Sequence, residues 1–178
     1  MLEIHLYFTP MLDNLDEFDR NDWYLYPVVN LSAAKACRDQ AQYPKTVEYL
    51  NACSDRLEKI ALDFFTVNLY GRKFGRKFIL QLQNNLTVSR LLDYNNSERK
   101  KILTEIGLST SEFKVFRDYS KHVLKDSLHQ FYENNFTQTP SGIVLTESEE
   151  LHLAHIEAEN LKTFIEKLEK NCLRQFFY

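Results

Sequence analysis

Two periodicities divide the chain. Leu2, Ile4, Leu6 and Phe8 alternate with Glu3, His5 and Tyr7, the two-residue period of a half-buried strand. A lone strand leaves its backbone donors and acceptors unpaired. Its candidate partners are Trp23 to Val29 and the run Ile143 to Leu145; failing these, it lies extended against helices. From Thr9 onward the apolar spacing lengthens to three and four. Thr9-Pro10 suits an N-cap followed by proline at the first helical position, and Ser32 can cap a short helix to about residue 41. Pro44 opens a long helix to about residue 70, with Val47, Leu50, Leu57, Ile60, Ala61, Phe64 and Phe65 on one broad stripe. Gly71 suits its terminator. A second amphipathic stretch over 72–93 turns Phe74, Phe78, Ile79, Leu82, Leu86 and Leu92 inward, and a short helix after Asn95-Asn96-Ser97 stops at Gly107.

Two capping boxes predict the starts of the last two long helices. In Ser109-Thr110-Ser111-Glu112 and Thr146-Glu147-Ser148-Glu149, a hydroxyl and a carboxylate three residues on can satisfy orphan amides reciprocally. Between them Asn134 to Leu145, holding Pro140 and Gly142, predicts a polar loop. The expected architecture is mainly α: one domain, a helical bundle of about four long helices plus short ones, with a small N-terminal β element. Its parts are an acidic and aromatic segment over 1–31, a helical core over 44–134, a loop over 135–145 and a C-terminal helix over 146–176.

Composition narrows the class. In 178 residues there are only 4 Gly and 4 Pro, too few turn formers for a hairpin-rich sandwich or barrel. A net charge of −3 with 13 Phe and 10 Tyr argues against disorder. Cys37, Cys53 and Cys172 form no C-x-x-C pair, which speaks against a disulfide framework or zinc ribbon. Each sits within an amphipathic pattern and reads as an inert structural thiol. The Met-Leu-Glu-Ile-His opening lacks the basic and apolar regions of a secretory signal. No apolar run is long enough for a membrane span. The expected setting is cytoplasmic.

Charge is unevenly spread. Residues 1–34 carry six acids against Arg20, a balance of −5, whereas residues 70–101 carry eight bases against Asp93 and Glu98, a balance of +6. At about 100° per residue, Arg72, Arg76, Gln83 and Arg90 share one stripe, flanked by Lys73 and Lys77. Such a face could take phosphates, nucleic acid or an acidic partner; the alternative is a solvated face neutralised by an acidic segment of the same chain. Phe177 and Tyr178 exceed what the last apolar stripe needs and either dock back or anchor in a partner's groove.

The sharpest short motif is Arg117-Asp118-Tyr119-Ser120-Lys121-His122. It resembles the R-x4-6-H signature of HEPN ribonucleases. That resemblance implies metal-free RNA cleavage in a helical bundle, usually at a dimer interface, with Arg117 on phosphate charge and His122 moving a proton. On a regular helix Arg117 and His122 diverge, so a partner subunit would have to bring them together. His122, Asp126 and His129 share one outward face, and His152, His155 and Glu159 share a flank of the expected last helix. Facing each other, they could form a carboxylate–histidine metal site. No G-x-S-x-G, phosphate-binding glycine loop or zinc-protease motif occurs.

These features together point to a non-enzymatic macromolecule-binding protein, an adaptor, regulator or effector acting through protein–protein contacts and needing no cofactor. Its contact residues are Arg72, Lys73, Arg76, Lys77, Arg90, Phe177 and Tyr178. A HEPN-like ribonuclease using Arg117 and His122 is the alternative, with RNA as partner and a homodimer as its setting.

Overall fold

The computed structural model describes residues 2–18, 23–109, 113 and 116–175, with backbone only beyond residue 168. Its strands are β1 (Glu3–Phe8), β2 (Tyr24–Pro27), β3 (Ser141–Leu145) and β4 (Glu150–Leu153). Its helices are α1 (Leu31–Gln40), α2 (Val47–Asn68), α3 (Arg72–Asn85), α4 (Asn96–Glu105), α5 (Arg117–Glu133) and α6 (Ala158–Gln175). Short 3-10 turns occupy Leu15–Glu17 and Val88–Asp93.

The four strands form one mixed sheet in the order β2-β1-β3-β4. β1 runs parallel to β2, with His5 opposite Tyr24, and antiparallel to β3, with Tyr7 opposite Ser141. The alternation along β1 is therefore literal, but both faces are used. Ile4, Leu6 and Phe8 enter the main core with α2 and α3 residues such as Phe64 and Phe78. Tyr7 enters a second cluster with Val28, Phe131, Phe136 and Ile143.

A pure helical bundle is thus the wrong architecture, and the errors have identifiable causes. The expected loop over 135–145 contains β3, because Pro140 and Gly142 sit at the mouth and start of a strand rather than in a turn. The expected helix start at Thr146 is the β3–β4 hairpin. There Thr146 Oγ1 accepts the Glu149 amide (2.9 Å), as a helix cap would, but the Thr146 amide also donates to the Glu149 carbonyl (2.9 Å) and closes a turn. The cap chemistry is common to turns and helix ends. Helix α6 begins only at Ala158. Residues 110–112 of the other box lie outside the described residues; α5 itself starts at Arg117, after Phe116.

The first long helix falls where its stripe predicts it, whereas the expected stretch over 72–93 is α3 to Asn85 followed by the 3-10 turn Val88–Asp93. Thr46 caps α2 by accepting the Tyr49 amide, and Leu57 with the buried run from Ile60 through Val67 packs the helix, which contacts α1, α3 and α5. Asn30 rather than Ser32 caps α1, accepting the Ala33 amide at 2.8 Å.

The βαβ crossover from β1 to β2 is unusual. Such connections are normally built around an α-helix, yet the described part of residues 9–23 holds only one 3-10 turn. Its orphaned backbone groups find partners on α3. Gln83 Nε2 donates to the Pro10 and Asp13 carbonyls (2.7 and 2.8 Å), Gln83 Oε1 accepts the Leu15 amide (3.1 Å), and Arg76 donates to the Phe18 carbonyl (2.6 Å). Among the described residues no helix is long and apolar enough to cross a membrane.

Candidate functional site

Two segments converge where β1 ends. The β1–β3 register pairs Tyr7 with Ser141, and two further steps along each chain set Thr9 opposite Thr139. The Thr9 and Thr139 hydroxyls share a hydrogen bond of 2.8 Å. The Thr139–Pro140 peptide bond is cis. The following backbone is pinned: Ser141 Oγ donates to the Gln138 carbonyl (2.6 Å) and accepts the His155 amide (3.0 Å), while the Ile156 amide donates to the Pro140 carbonyl (2.8 Å).

The Thr9 side is a closed turn. Its carbonyl accepts the Leu12 and Asp13 amides (3.1 and 3.0 Å), and its own amide donates to Asp13 Oδ2 (2.6 Å). Burial pushes the Asp13 carboxyl above the usual carboxylate range, opposed by hydrogen bonds from the Thr9 backbone and the Thr139 side chain and by the charge of His155. Beside this pair opens a cleft of about 260 Å³, lined by Thr9, Thr139, Phe131 and the first residues of α1, including Asn30, Ser32 and Ala33. The cleft therefore meets a helix N-terminus, where Asn30 caps the Ala33 amide and the helix dipole favours negative charge. The first turn of α1 carries no acid to cancel that field.

Thiols lie behind the cleft, not in it. Cys37, one turn beyond Ala33 on α1, and Cys53 on α2 are both fully buried and free. Burial raises the Cys37 thiol to about 12 and also raises that of Cys53, so neither supplies a thiolate near neutral pH. The crossover over residues 9–23 contains no cysteine at all. Cys172 lies where only the backbone is described.

The residues singled out from the sequence have other employments. Arg76 is buried with the crossover turn it holds, and Arg72 lies over the Tyr24 ring at 4.1 Å. Arg90 pairs with Asp93 at 2.8 Å. Lys73 and Lys77 are exposed, the latter 6.0 Å from the Phe74 ring. Phe177 and Tyr178 lie outside the described residues. Arg117 donates to the buried carboxylate of Asp63 (3.3 Å), which also takes Tyr94 (2.7 Å) and Arg99 (3.4 Å), while His122 is exposed. His129 pairs with Glu133 and His152 with Glu150; His152 stands on β4 and His155 on the loop after it, so neither shares a helix flank with Glu159. Asp126 is exposed on α5. Among the described residues no group of three potential metal ligands forms.

Sequence reasoning missed Thr9, Asp13, Thr139 and Pro140 as a unit. The Thr9-Pro10 dipeptide stood out only as a helix cap, and the contact to Thr139 depends on a strand register.

Residues 22–166 match the Thioredoxin family, and the chain belongs to it. Solved structures agree with that fold. A candidate protein disulfide isomerase from Nitrosomonas europaea superposes with a TM-score of 0.64 at 12% identity, over 96% of this chain and 98% of its own. A thioredoxin-like oxidoreductase from Silicibacter pomeroyi superposes with a TM-score of 0.53 at 13% identity, over 95% of this chain and 87% of its own. No curated protein matches the chain. Family membership overturns both functions expected from the sequence, the protein–protein adaptor and the HEPN-like ribonuclease, and with them the all-α description. The matched segment begins after β1 and the Thr9–Asp13 turn, so it contains Thr139 but not Thr9 of the hydroxyl pair.

Proposed function

We propose that this protein is a thioredoxin-family oxidoreductase acting on small thiols and disulfides, with both reacting sulfurs supplied by the substrates. Thiol–disulfide exchange needs an attacking thiolate, and a helix N-terminus is an environment that lowers a thiol's pKa. The carrying observation is the hydroxyl pair Thr9–Thr139 set beside the Asn30-capped N-terminus of α1 in a cleft whose lining holds no cysteine. A cleft of about 260 Å³ sits below the roughly 300–1,000 Å³ of drug-sized sites, which suits a small thiol.

In the exchange, a substrate thiolate held at the α1 N-terminus attacks one sulfur of a second substrate's disulfide. One S–S bond forms as the other breaks, and the departing sulfur leaves as a thiolate that takes a proton from water. The protein binds and orients, and its amide dipoles stabilise the anion; its own sulfurs do not enter the step.

The test is a glutathione exchange assay on a small disulfide with purified protein, beside Thr9→Val and a Cys37→Ser/Cys53→Ser double variant. Acceleration over the uncatalysed rate that survives the double variant and falls several-fold in Thr9→Val is expected. No acceleration, or acceleration abolished by the double variant, defeats the assignment.

A further inference from the structure

We infer that Lys59, Arg99 and Arg117 form a binding site for a phosphate group, gathered by α2, α4 and α5 around the buried carboxylate of Asp63. The site shares no residue with the cleft at Thr9 and Thr139, and the inference stands apart from the thiol reading.

One carboxylate oxygen serves two cations. Arg99 Nη1 and Arg117 Nη1 lie 3.4 and 3.3 Å from the same Asp63 Oδ1, and the other oxygen takes the Tyr94 hydroxyl at 2.7 Å. Lys59 stands one helical turn before Asp63 on α2. Its ammonium lies 5.8 Å from the centre of the Tyr94 ring and donates to Asn96 Oδ1 at 2.9 Å. Three cations against one carboxylate leave a surplus of two positive charges. Among the described residues no second carboxylate pairs with any of the three. Glu98 pairs with Lys101 at 4.0 Å, and Asp118 with Lys121 at 3.3 Å. Like charges gathered in a partly buried place repel more strongly than in open water, so the cluster favours an anion.

Donors are left over as well. A guanidinium has five N–H groups, and Arg99 and Arg117 each give one to Asp63. Arg99 Nε is buried with no hydrogen-bond partner among the described residues, the sort of orphan that a bound ion or water satisfies. The same guanidinium lies over the Phe113 ring at 4.8 Å, which restrains its plane. Arg117, with 35% of its side chain exposed, and the half-buried Lys59 open the cluster to solvent. Phosphate meets both surpluses. It carries about −1.5 to −2 charges near pH 7 with several acceptor oxygens, and arginine forks pair with it through two parallel bonds. A carboxylate brings one charge and two oxygens, and leaves part of the surplus unmet.

The test follows the Arg99 Nε–H by ¹H–¹⁵N NMR in the full chain near neutral pH, with the signal assigned by its loss in Arg99→Lys. Inorganic phosphate is titrated in at constant ionic strength, beside sodium chloride. A saturable shift with phosphate and none with chloride is expected. Lys59→Gln and Arg117→Gln should each weaken phosphate binding several-fold, whereas Lys73→Gln, which removes an exposed cation of α3, should leave it unchanged. Asp63→Asn, which removes the competing charge and keeps a polar side chain, should tighten it several-fold. Phenyl phosphate forms a second arm: affinity equal to that of phosphate assigns the site to phosphate esters, and affinity several-fold weaker assigns it to the free ion. No saturable shift with either ligand, or an equal response to chloride, overturns the site. So does a loss in Lys73→Gln as large as that in Lys59→Gln, or unchanged affinity in a folded Asp63→Asn. If Asp63→Asn does not fold, the contrast between Lys59→Gln and Lys73→Gln decides.

Discussion

Thr9 and Thr139, separated by 130 positions in sequence, share one hydrogen bond of 2.8 Å between their hydroxyls. It ties the end of the central strand to the loop before β3 and stands at the edge of a cleft that meets the N-terminus of α1. Thr9 is almost fully buried, so its hydroxyl depends on Thr139 for satisfaction within the protein. Thr139→Val keeps the shape and strands the buried Thr9 hydroxyl. The expected loss is about 1–3 kcal/mol, the range for leaving a buried polar group unsatisfied, measured by urea unfolding. The Thr9→Val/Thr139→Val pair should recover part of that loss, because neither hydroxyl is then stranded.

Gln83 organises the described part of the crossover, which holds no α-helix. Its amide makes three hydrogen bonds to the backbone of residues 10–15. Gln83→Leu should cost about 2–4 kcal/mol at roughly 1 kcal/mol per bond. Hydrogen exchange should locate the damage at the Leu15 amide first, with α2 amides unchanged. Arg76→Ala should loosen the same turn from its other end, at Phe18.

Asp63 holds the helical layer together from within. It is fully buried and receives Tyr94, Arg99 and Arg117 from three different elements. Asp63→Ala leaves two guanidinium groups without their carboxylate and should cost about 3–5 kcal/mol by urea unfolding. Burial outweighs the neighbouring cations, so the folded carboxyl titrates above its ordinary value of 3.8. The folded state then keeps this proton to higher pH than the unfolded chain. The protonation-linked part of Asp63's contribution is fully present below about pH 3.8 and declines as pH rises through the folded pKa, while its ties to Tyr94, Arg99 and Arg117 remain. Asp63→Asn should remove that slope from the stability profile.

Alkaline pH tests the buried thiols. Cys37 is raised from 9.0 to about 12 by burial, with Cys53 and Asp13 adding to the shift. Its stabilising contribution is complete below pH 9 and falls by about 1.4 kcal/mol per pH unit between there and the folded value. Cys37→Ala should unfold at higher pH relative to its own neutral stability than wild type does, in a base titration followed by circular dichroism. An unchanged alkaline midpoint would mean that the thiol is accessible.

Much of this fold is written locally and some of it is not. The alternation of Leu2 to Phe8 and the apolar runs at Trp23 to Val29 and Ile143 to Leu145 mark three strands that do pair, and the stripe of α2 gives that helix nearly to its ends, while the stripe over 72–93 runs past the end of α3 into the 3-10 turn. The sheet's extent was hidden because β3 and β4 are short and sit among turn residues. Thr146 offers the same oxygen to the same amide whether a helix or a hairpin follows. The basic stripe was legible as spacing, but spacing does not say that Arg76 is buried against Phe18 or that Gln83 faces the crossover. The site was illegible for a plainer reason. Its members come from the ends of two strands and a helix, and only the register of β1 on β3 brings Thr9 to Thr139.

Turnover by a chain without sulfur nucleophiles is the most direct test. The Cys37→Ser/Cys53→Ser/Cys172→Ser variant, confirmed folded, should catalyse exchange between glutathione and a small disulfide at a rate close to wild type, and Thr9→Val should lose most of it. Loss of exchange in the cysteine-free protein, with wild type active, would show that the chain's own thiols carry the chemistry and contradict the account.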